Sequence, residues 1–246
     1  MKRAERHHLK QDELLTSLDH SAVWLGAHRK TLVVGGVAVL AALVLGFGAK
    51  LYFDTGNRKA EAAFAQALNA YHGHVGAGTG ETAGGADVHP RFSTGQERQL
   101  AALEAMEKVA RDFPRRKQGR QARYYAGLCQ WGLSRLQDAE RNLQEVVRGP
   151  RDLQYYLAAE ALAGVKSQKG DAAEAIELLR KLVEDSKNPL PKDHLLFRLA
   201  EARQKAGQIE EASRDFQRLL DEYPDSPLRS EADSRRQELS PGGSTS

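Results

Sequence analysis

The chain contains one long uncharged run, TLVVGGVAVLAALVLGFGA at residues 31–49, bounded by Lys30 and Lys50. As an α-helix rising about 1.5 Å per residue, this run reaches roughly 28 Å, close to the ~30 Å hydrocarbon thickness of a bilayer. A helix satisfies its own backbone hydrogen bonds, which the bilayer interior cannot do for it. The run therefore predicts a single transmembrane helix, with a short tail before it and a large domain after it.

Two other interpretations of this run stay open, a cleaved signal peptide and a buried core helix. A signal peptide has an apolar stretch of roughly 7–15 residues close to the N-terminus. Here residues 1–30 come first, although the small-x-small pattern Gly46-Phe47-Gly48 offers a cleavage site. A core helix with no polar face requires a large surrounding domain, and none flanks the run. A membrane span is the favoured interpretation.

The segments in and around the predicted span indicate its orientation and its contacts. Residues 1–30 carry several Lys and Arg, and short basic tails stay in the cytoplasm while long domains are translocated. We therefore expect a cytoplasmic tail over 1–30, in which leucines at helical spacing predict a short amphipathic helix or a partly ordered segment. Ala38, Ala42 and Gly46 form a candidate packing face in the span, for self-association or for docking on another span.

From residue 96 onward, the sequence repeats a spacing of small residues. They come in pairs twelve positions apart, with large apolar residues four and seven positions after the second member and a turn residue five before it. Ala102, Met106 and Val109 form a partial earlier copy. The pairs are Gly127 with Ala139, Ala163 with Ala175 and Ala200 with Ala212; the large residues are Leu143, Val146, Leu179, Leu182, Phe216 and Leu219; the turn residues are Ser134, Gly170 and Gly207.

This spacing predicts antiparallel helical hairpins that stack into an all-α solenoid. Small residues let two helices approach closely, and glycine readily adopts the left-handed conformation that ends a helix. Each hairpin leaves an apolar face that the next hairpin covers. We expect the repeats over 96–239, a first repeat helix with a glycine-rich flexible loop over 50–95, and a disordered tail over 240–246.

Composition and motifs argue against several classes of function. Segment 96–239 holds 26 basic and 25 acidic residues, without the basic stripe of a nucleic-acid-binding domain. The chain has no G-x-S-x-G or H-E-x-x-H motif, and the glycines of 72–95 lack the lysine and spacing of a phosphate loop. The single Cys129 and the scattered histidines do not make a zinc ligand set. We expect no enzyme activity, metal, cofactor or nucleic acid; an enzyme would need a deep pocket with convergent polar groups.

The offsets of the small pairs, with the Phe113-Pro114 and Tyr223-Pro224 endings, resemble the tetratricopeptide repeat. The resemblance implies a solenoid of helix pairs that binds other proteins along the concave face formed by the first helices. The repeats here are 36 and 37 residues long, against the usual 34 or so, which predicts longer turns such as 186–191.

The whole layout is also similar to a narrower family, the bacterial ancillary SecYEG translocon subunits (YfgM-like). The shared features are Trp24 before the span, Lys30 at its edge, the glycine-rich span and the alanine-rich helix over 58–71. This resemblance implies an inner-membrane protein whose periplasmic repeats associate with translocon subunits, periplasmic chaperones or unfolded polypeptide. The alternative is a repeat protein of envelope assembly, which coordinates cell-wall or outer-membrane machinery without contacting the translocon.

Placing the repeat on this chain gives a set of candidate partner-binding residues on the concave face. Aromatic residues give large contact area at low entropic cost, so Tyr124, Trp131 and Phe197 are the expected anchors. The alternative is that Trp131 and Phe197 only pack between repeats. The full set is Tyr124, Leu128, Trp131, Glu160, Phe197, Glu201 and Gln204.

A dense basic cluster follows Pro114. It is a candidate site for an acidic partner segment or for lipid head groups. A solvated turn and first helical turn is the favoured interpretation, because charge runs commonly lie on exposed surface. The cluster comprises Arg115, Arg116, Lys117, Arg120 and Arg123.

Overall fold

The computed structural model describes residues 29–76 and 90–240 of the chain. The chain divides into two compact units, Met1–Arg58 and Lys59–Ser246. The amphipathic helix expected in the tail before residue 29, the middle of the glycine-rich loop and the tail after residue 240 lie outside the described residues. The elements are α1 (Arg29–Tyr71), β1 (His74–Val75), β2 (Arg91–Phe92), α2 (Gly95–Asp112), α3 (Lys117–Gly132), α4 (Leu136–Val147), α5 (Leu153–Lys169), α6 (Ala172–Glu184), α7 (Lys192–Lys205), α8 (Ile209–Glu222) and α9 (Arg229–Glu238).

The described part of the first unit is an apolar helix. A stretch of α1 reaches a mean hydropathy of 2.0 over 18 residues, and none of that stretch is buried. Large side chains along it are open, such as Val34 at 69% and Leu45 at 73% exposure. This exposure argues against the core-helix interpretation. By length and composition α1 qualifies as a membrane span, and an N-terminal signal sequence meets the same criterion.

The second unit confirms the predicted stack of helical hairpins. From α2 to α9, each helix packs against the next one in the sequence, and α3 also contacts α5. The core consists of three buried clusters along the stack, in which alanines alternate with Leu, Val and Phe. The 59–71 part of α1 contributes Ala67 to the first cluster, so this segment pairs with α2 as the first hairpin. The fold is an all-α solenoid similar to tetratricopeptide repeats.

The small residues and turn residues predicted from the sequence lie where helical hairpins require them. All five alanines of the small pairs have 0% exposure. A Cβ at Gly127 would lie 2.9 Å from Leu143 Cγ, so only glycine allows this approach of α3 to α4. The three turn residues, Ser134, Gly170 and Gly207, have φ angles of +59°, +90° and +75°. The three hairpins α3–α4, α5–α6 and α7–α8 therefore each close through one left-handed residue.

The longer turn between α6 and α7 is held by a buried amide. Asn188 donates from Nδ2 to the Leu182 carbonyl at 2.8 Å, and its Oδ1 accepts from the Leu190 backbone amide at 3.0 Å. The side chain thereby satisfies a helix-end carbonyl and a turn amide that neither helix can pair. This contact accounts for a regular stack despite a repeat length of 36 to 37 residues.

The glycine-rich insertion is more ordered at its ends than the sequence predicts. β1 and β2 form a short parallel bridge, with His74 opposite Arg91 and Val75 opposite Phe92. The His74 amide donates to the Pro90 carbonyl at 3.0 Å, and the Gly76 amide donates to the Phe92 carbonyl at 3.1 Å. The expectation of a fully flexible loop was therefore wrong for 74–76 and 90–92, where main-chain hydrogen bonds pair the two ends.

Candidate functional site

The first helices of the hairpins lie side by side and form one surface, which we call the first-helix face. It consists of residues 59–71 of α1 together with α3, α5 and α7. Rings of α1 and α3 meet where Tyr71 and Tyr125 lie 5.0 Å apart between centroids. Between α5 and α7, Glu160 Oε1 and His194 Nε2 are 2.8 Å apart. Contacts between neighbouring first helices therefore continue along the stack.

A tyrosine cluster, Tyr71, Tyr124 and Tyr125, occupies this face at the first two hairpins. Tyr124 and Tyr125 pack edge to face at 5.2 Å, and Phe64 supports Tyr125 at 5.9 Å. Burial raises the pKa of Tyr124 to about 12 and also raises the pKa of Tyr71. Within the described part of the chain, none of the three hydroxyls makes a hydrogen bond. The cluster thus combines half-buried rings with polar tips that are open to a partner.

The Trp131 side chain packs between α3 and α5. A Cβ at Gly164 would lie 2.3 Å from Trp131 Cη2, so the indole rests directly on the backbone of α5. The indole Nε1 donates to Gln168 Oε1 at 2.6 Å. Leu128, one turn earlier, is half-buried against the same cluster. This placement agrees with the alternative in which Trp131 packs between repeats.

Phe197 is a core residue in the last hairpin. It is 6% exposed and packs edge to face on Phe216, with 5.5 Å between ring centroids. Its position also agrees with the packing alternative, and we leave it out of the surface that we propose below. Glu201 and Gln204, one and two turns further along α7, are half-buried, and the Glu201 carboxylate lies 3.2 Å from Arg198 Nη1.

The basic cluster is divided between structural and exposed positions. Arg120 donates to the carbonyls of Val146 and Pro150 at 3.1 and 2.8 Å, and to Asp152 Oδ2 at 2.7 Å. Burial alone would raise the pKa of Asp152, but this hydrogen bond and the backbone amide of Tyr155 lower it. Arg120 therefore ties α3 to the turn between α4 and α5.

The other members of the basic cluster do not act together. Arg123 lies 3.6 Å from Glu145, so its charge is partly neutralised. Arg116 is half-buried at the start of α3. Arg115 and Lys117 are exposed. These two residues agree with the interpretation of the cluster as a solvated turn. Arg120 does not, because it bonds carbonyls that lie 26 to 30 residues away in the sequence.

Along the apolar part of α1, the candidate packing face is open. Ala38, Ala42 and Gly46 are exposed, and a Cβ at Gly46 would meet nothing within 4 Å. The face stays a prediction, since the structure holds a single chain.

A cavity of about 300 Å³ adjoins the tyrosine cluster. Sequence reasoning missed it, because Tyr71 and Arg98 flank the glycine-rich insertion and are 27 residues apart in the chain. The lining includes Cys129, whose pKa burial raises to about 11. The thiol is therefore protonated at neutral pH and is no nucleophile. In residues 29–76 and 90–240, no group of three or more His, Cys, Asp or Glu side chains is placed to hold a metal ion.

Comparison with known proteins agrees with this architecture at the level of the fold. The chain is similar in structure to a kinesin-light-chain-type protein of Podosopora anserina with nearly identical TPR-like repeats, at 18% identity and a TM-score of 0.52, over 58% of this chain and 77% of that one. A single-residue variant of the same protein matches at 17% identity, with the same TM-score and coverage. No curated protein matches the chain in sequence. Residues 194–226, which contain most of α7 and all of α8, match the tetratricopeptide repeat family model, so the chain carries a tetratricopeptide repeat within a TPR-like helical stack.

Proposed function

We propose that this protein is a membrane-anchored, non-enzymatic scaffold that binds segments of partner polypeptides on its first-helix face. The tyrosine cluster is the observation that carries this proposal. Rigid aromatic rings whose hydroxyls have no partner among the described residues give both apolar contact area and hydrogen-bonding capacity, as protein-binding surfaces require. Helical repeat stacks commonly use such continuous faces to hold extended segments of other proteins.

The chemistry of the face favours a polypeptide over a small metabolite. The tyrosine cluster lies on two helices, and the polar residues Glu160 and Glu201 continue the face onto α5 and α7. A surface of this length offers several separate contacts instead of one deep enclosed pocket. Contacts spread over several helices suit an extended polypeptide segment. Anchoring by the apolar part of α1 would raise the effective concentration of weak sites at the membrane.

We place this scaffold at a bacterial inner membrane, near the secretion translocon, with residues 1–30 cytoplasmic and the repeats periplasmic. The support is the basic tail before the apolar run and the similarity in layout to the ancillary translocon subunits. Translocon subunits, periplasmic chaperones or unfolded secretory polypeptide are the partners that follow. A compartment reporter fused after Ser246 tests the orientation, and cytoplasmic reporter activity would contradict it.

Site-specific photo-crosslinking of the full-length protein in a bacterial host tests the binding face. A photoreactive phenylalanine analogue replaces Tyr124, and the matched control carries the same analogue at Arg141, which is exposed on the second helix α4. We expect polypeptide adducts from position 124 and few from position 141. Equal yields at the two positions would reject the first-helix face as the binding surface.

Identification of the adducts separates the partners. Translocon subunits or periplasmic chaperones among them support the secretion role. Adducts only with cell-wall or outer-membrane assembly proteins would reject that role while leaving the scaffold function intact.

A further inference from the structure

The cavity beside the tyrosine cluster has walls of two kinds. It opens between the end of α1, the first turns of α2 and the second half of α3, and it measures about 300 Å³. Leu128 and Cys129 provide an apolar wall, while the polar groups come from Tyr71, His72, Arg98 and Gln99. A cavity of this size admits one amino-acid side chain and some of its backbone. Among the residues that the structure describes, no carboxylate lines it.

Among the described lining residues, Arg98 carries the permanent positive charge, and it lacks an acidic partner in the described part of the chain. It is half-buried, and its hydrogen bond runs from Nη1 to the Gly73 carbonyl at 3.5 Å. Two other half-buried arginines differ from it, because Arg120 and Arg203 each bond a carboxylate at 2.7 and 2.6 Å. A guanidinium presents a planar fork of donors, so within residues 29–76 and 90–240 most of the hydrogen-bonding capacity of Arg98 is unused.

The field of Arg98 reaches both sides of the cavity. Burial raises the pKa of Tyr71 and of Cys129, and the positive charge of Arg98 acts against that rise in each case. The Tyr71 hydroxyl, which has no hydrogen-bond partner among the described residues, is a second donor beside the guanidinium. The cavity therefore places a cation and a neutral hydroxyl around a common space with an apolar wall.

We propose that this cavity binds the side-chain carboxylate of an Asp or Glu in the polypeptide held on the first-helix face. The inference rests on the proposed function, because it names a chemical preference of that partner. The planar fork of Arg98 matches the two oxygens of a carboxylate, and the Tyr71 hydroxyl donates to one of them. The methylene groups of the acidic side chain pack on Leu128. Leu128 and Tyr71 belong both to the first-helix face and to the lining of the cavity, so a segment lying on that face comes next to the cavity.

A direct test uses the full-length protein in phosphatidylcholine nanodiscs at pH 7, with 3-fluorotyrosine incorporated at position 71. The probes are N-acetyl-glutamate N-methylamide, its glutamine counterpart and inorganic phosphate, each followed by the fluorine NMR shift of residue 71. We expect a saturable shift with the glutamate derivative alone. No shift with it, or an equal shift with the glutamine derivative, would overturn the proposal, and this comparison leaves Arg98 unchanged.

Two arginine substitutions on the same helix locate the site. Arg98→Gln removes the guanidinium in the cavity, whereas Arg111→Gln makes the same change at an exposed position in the last turn of α2. Arg98→Gln should weaken binding of the glutamate derivative by about tenfold or more, and Arg111→Gln should leave it unchanged. Equal effects of the two substitutions would overturn the assignment. A phosphate response as strong as that to the glutamate derivative would also overturn it, because the site would then be a general anion site.

The failure of this inference can be told apart from the failure of the proposed function. The fluorine NMR titration reports on the cavity alone, while photo-crosslinking from position 124 reports on polypeptide at the first-helix face. Crosslinked polypeptide without any response to the glutamate derivative would leave the scaffold function in place and reject the carboxylate site.

Discussion

Arg203 and Asp215 face each other across the last hairpin, with 2.6 Å between Nη1 and Oδ2. They are twelve residues apart, and each follows a member of a small-residue pair by three positions. Gln130 and Asn142 hold the same positions one turn after the Gly127 pair, and they are joined at 2.8 Å. In these two hairpins, a polar pair with the same twelve-residue spacing therefore joins the helices one turn beyond the small residues that let them pack closely.

Removing one partner of the Arg203–Asp215 pair should destabilise the last hairpin strongly. Asp215→Ala leaves a guanidinium that is only 19% exposed without its carboxylate, and we expect a loss of about 3 kcal/mol in the free energy of unfolding. The double change Arg203→Met with Asp215→Leu should lose less, because it removes both buried charges together. Urea unfolding of the full-length protein in detergent, followed by circular dichroism, measures both.

A matched surface pair gives the control for this experiment. Arg218 and Glu222 form an i,i+4 pair on the same helix, with side chains 48% and 44% exposed. Glu222→Ala should cost about 0.5 kcal/mol or less. If Asp215→Ala costs no more than this control, the Arg203–Asp215 contact is not a significant source of stability.

The hairpin of α5 and α6 has a buried lysine at the position equivalent to Arg203. This lysine joins its own hairpin to the preceding one. Lys166 is 8% exposed, and its Nζ lies 2.6 Å from Glu140 Oε1 and 2.7 Å from Glu174 Oε2. Hydrogen bonds from Lys166 and then from Lys169 lower the pKa of Glu140 below its ordinary value of 4.5. Since Glu140 lies on α4 and Lys166 on α5, this pair connects successive hairpins.

The stability of the protein should therefore depend on the charge of Glu140 in acid. A carboxyl whose folded-state pKa is depressed contributes stability above its unfolded value of 4.5, and loses that contribution as the pH falls through the folded-state pKa. Glu140→Gln should reduce stability at pH 7 by about 1–3 kcal/mol and flatten the decline in stability as the pH falls below 4.5. Urea unfolding at each pH measures this, and parallel curves for the two proteins would contradict it.

The sequence predicted the hairpins well because the governing rules are local. Two adjacent helices can pack closely only with a small residue such as Ala139 or Ala175, and their connection needs a turn residue five positions earlier. Neither requirement depends on the other hairpins. Ser134 illustrates this, since its predicted turn position has a left-handed φ of +59° without being glycine. The exposure of aromatic side chains was harder to predict. Trp131 and Phe197 look alike in sequence, but their environments depend on Gly164 and Phe216 in other helices.

Contacts across long sequence separations also escaped prediction, and Arg120 is the clearest case. In the sequence it belongs to a run of basic residues, whereas the structure gives it three acceptors at the end of α4 and in the turn that leads to α5. Arg120→Gln should therefore lower the free energy of unfolding by about 2 kcal/mol, because helix-end carbonyls and Asp152 lose their charged donor. Arg115→Gln, in the exposed part of the same run, should change it by no more than about 0.5 kcal/mol. Thermal unfolding of the two variants compares them, and equal stability would contradict the structural role of Arg120.

The contact between Trp131 and Gly164 yields a coupled prediction about the packing of α3 on α5. Gly164→Ala puts a methyl group where the indole lies, since the new Cβ would be 2.3 Å from Cη2 and 2.7 Å from Cζ2. We expect a loss of about 1–3 kcal/mol from this overpacking. Trp131→Phe removes those two ring atoms and the hydrogen bond to Gln168, and it should also destabilise the protein. The double variant should lose clearly less than the sum of the two single losses, because the smaller ring makes room for the methyl group. Additive losses in urea unfolding would show instead that the indole moves away from residue 164 without cost.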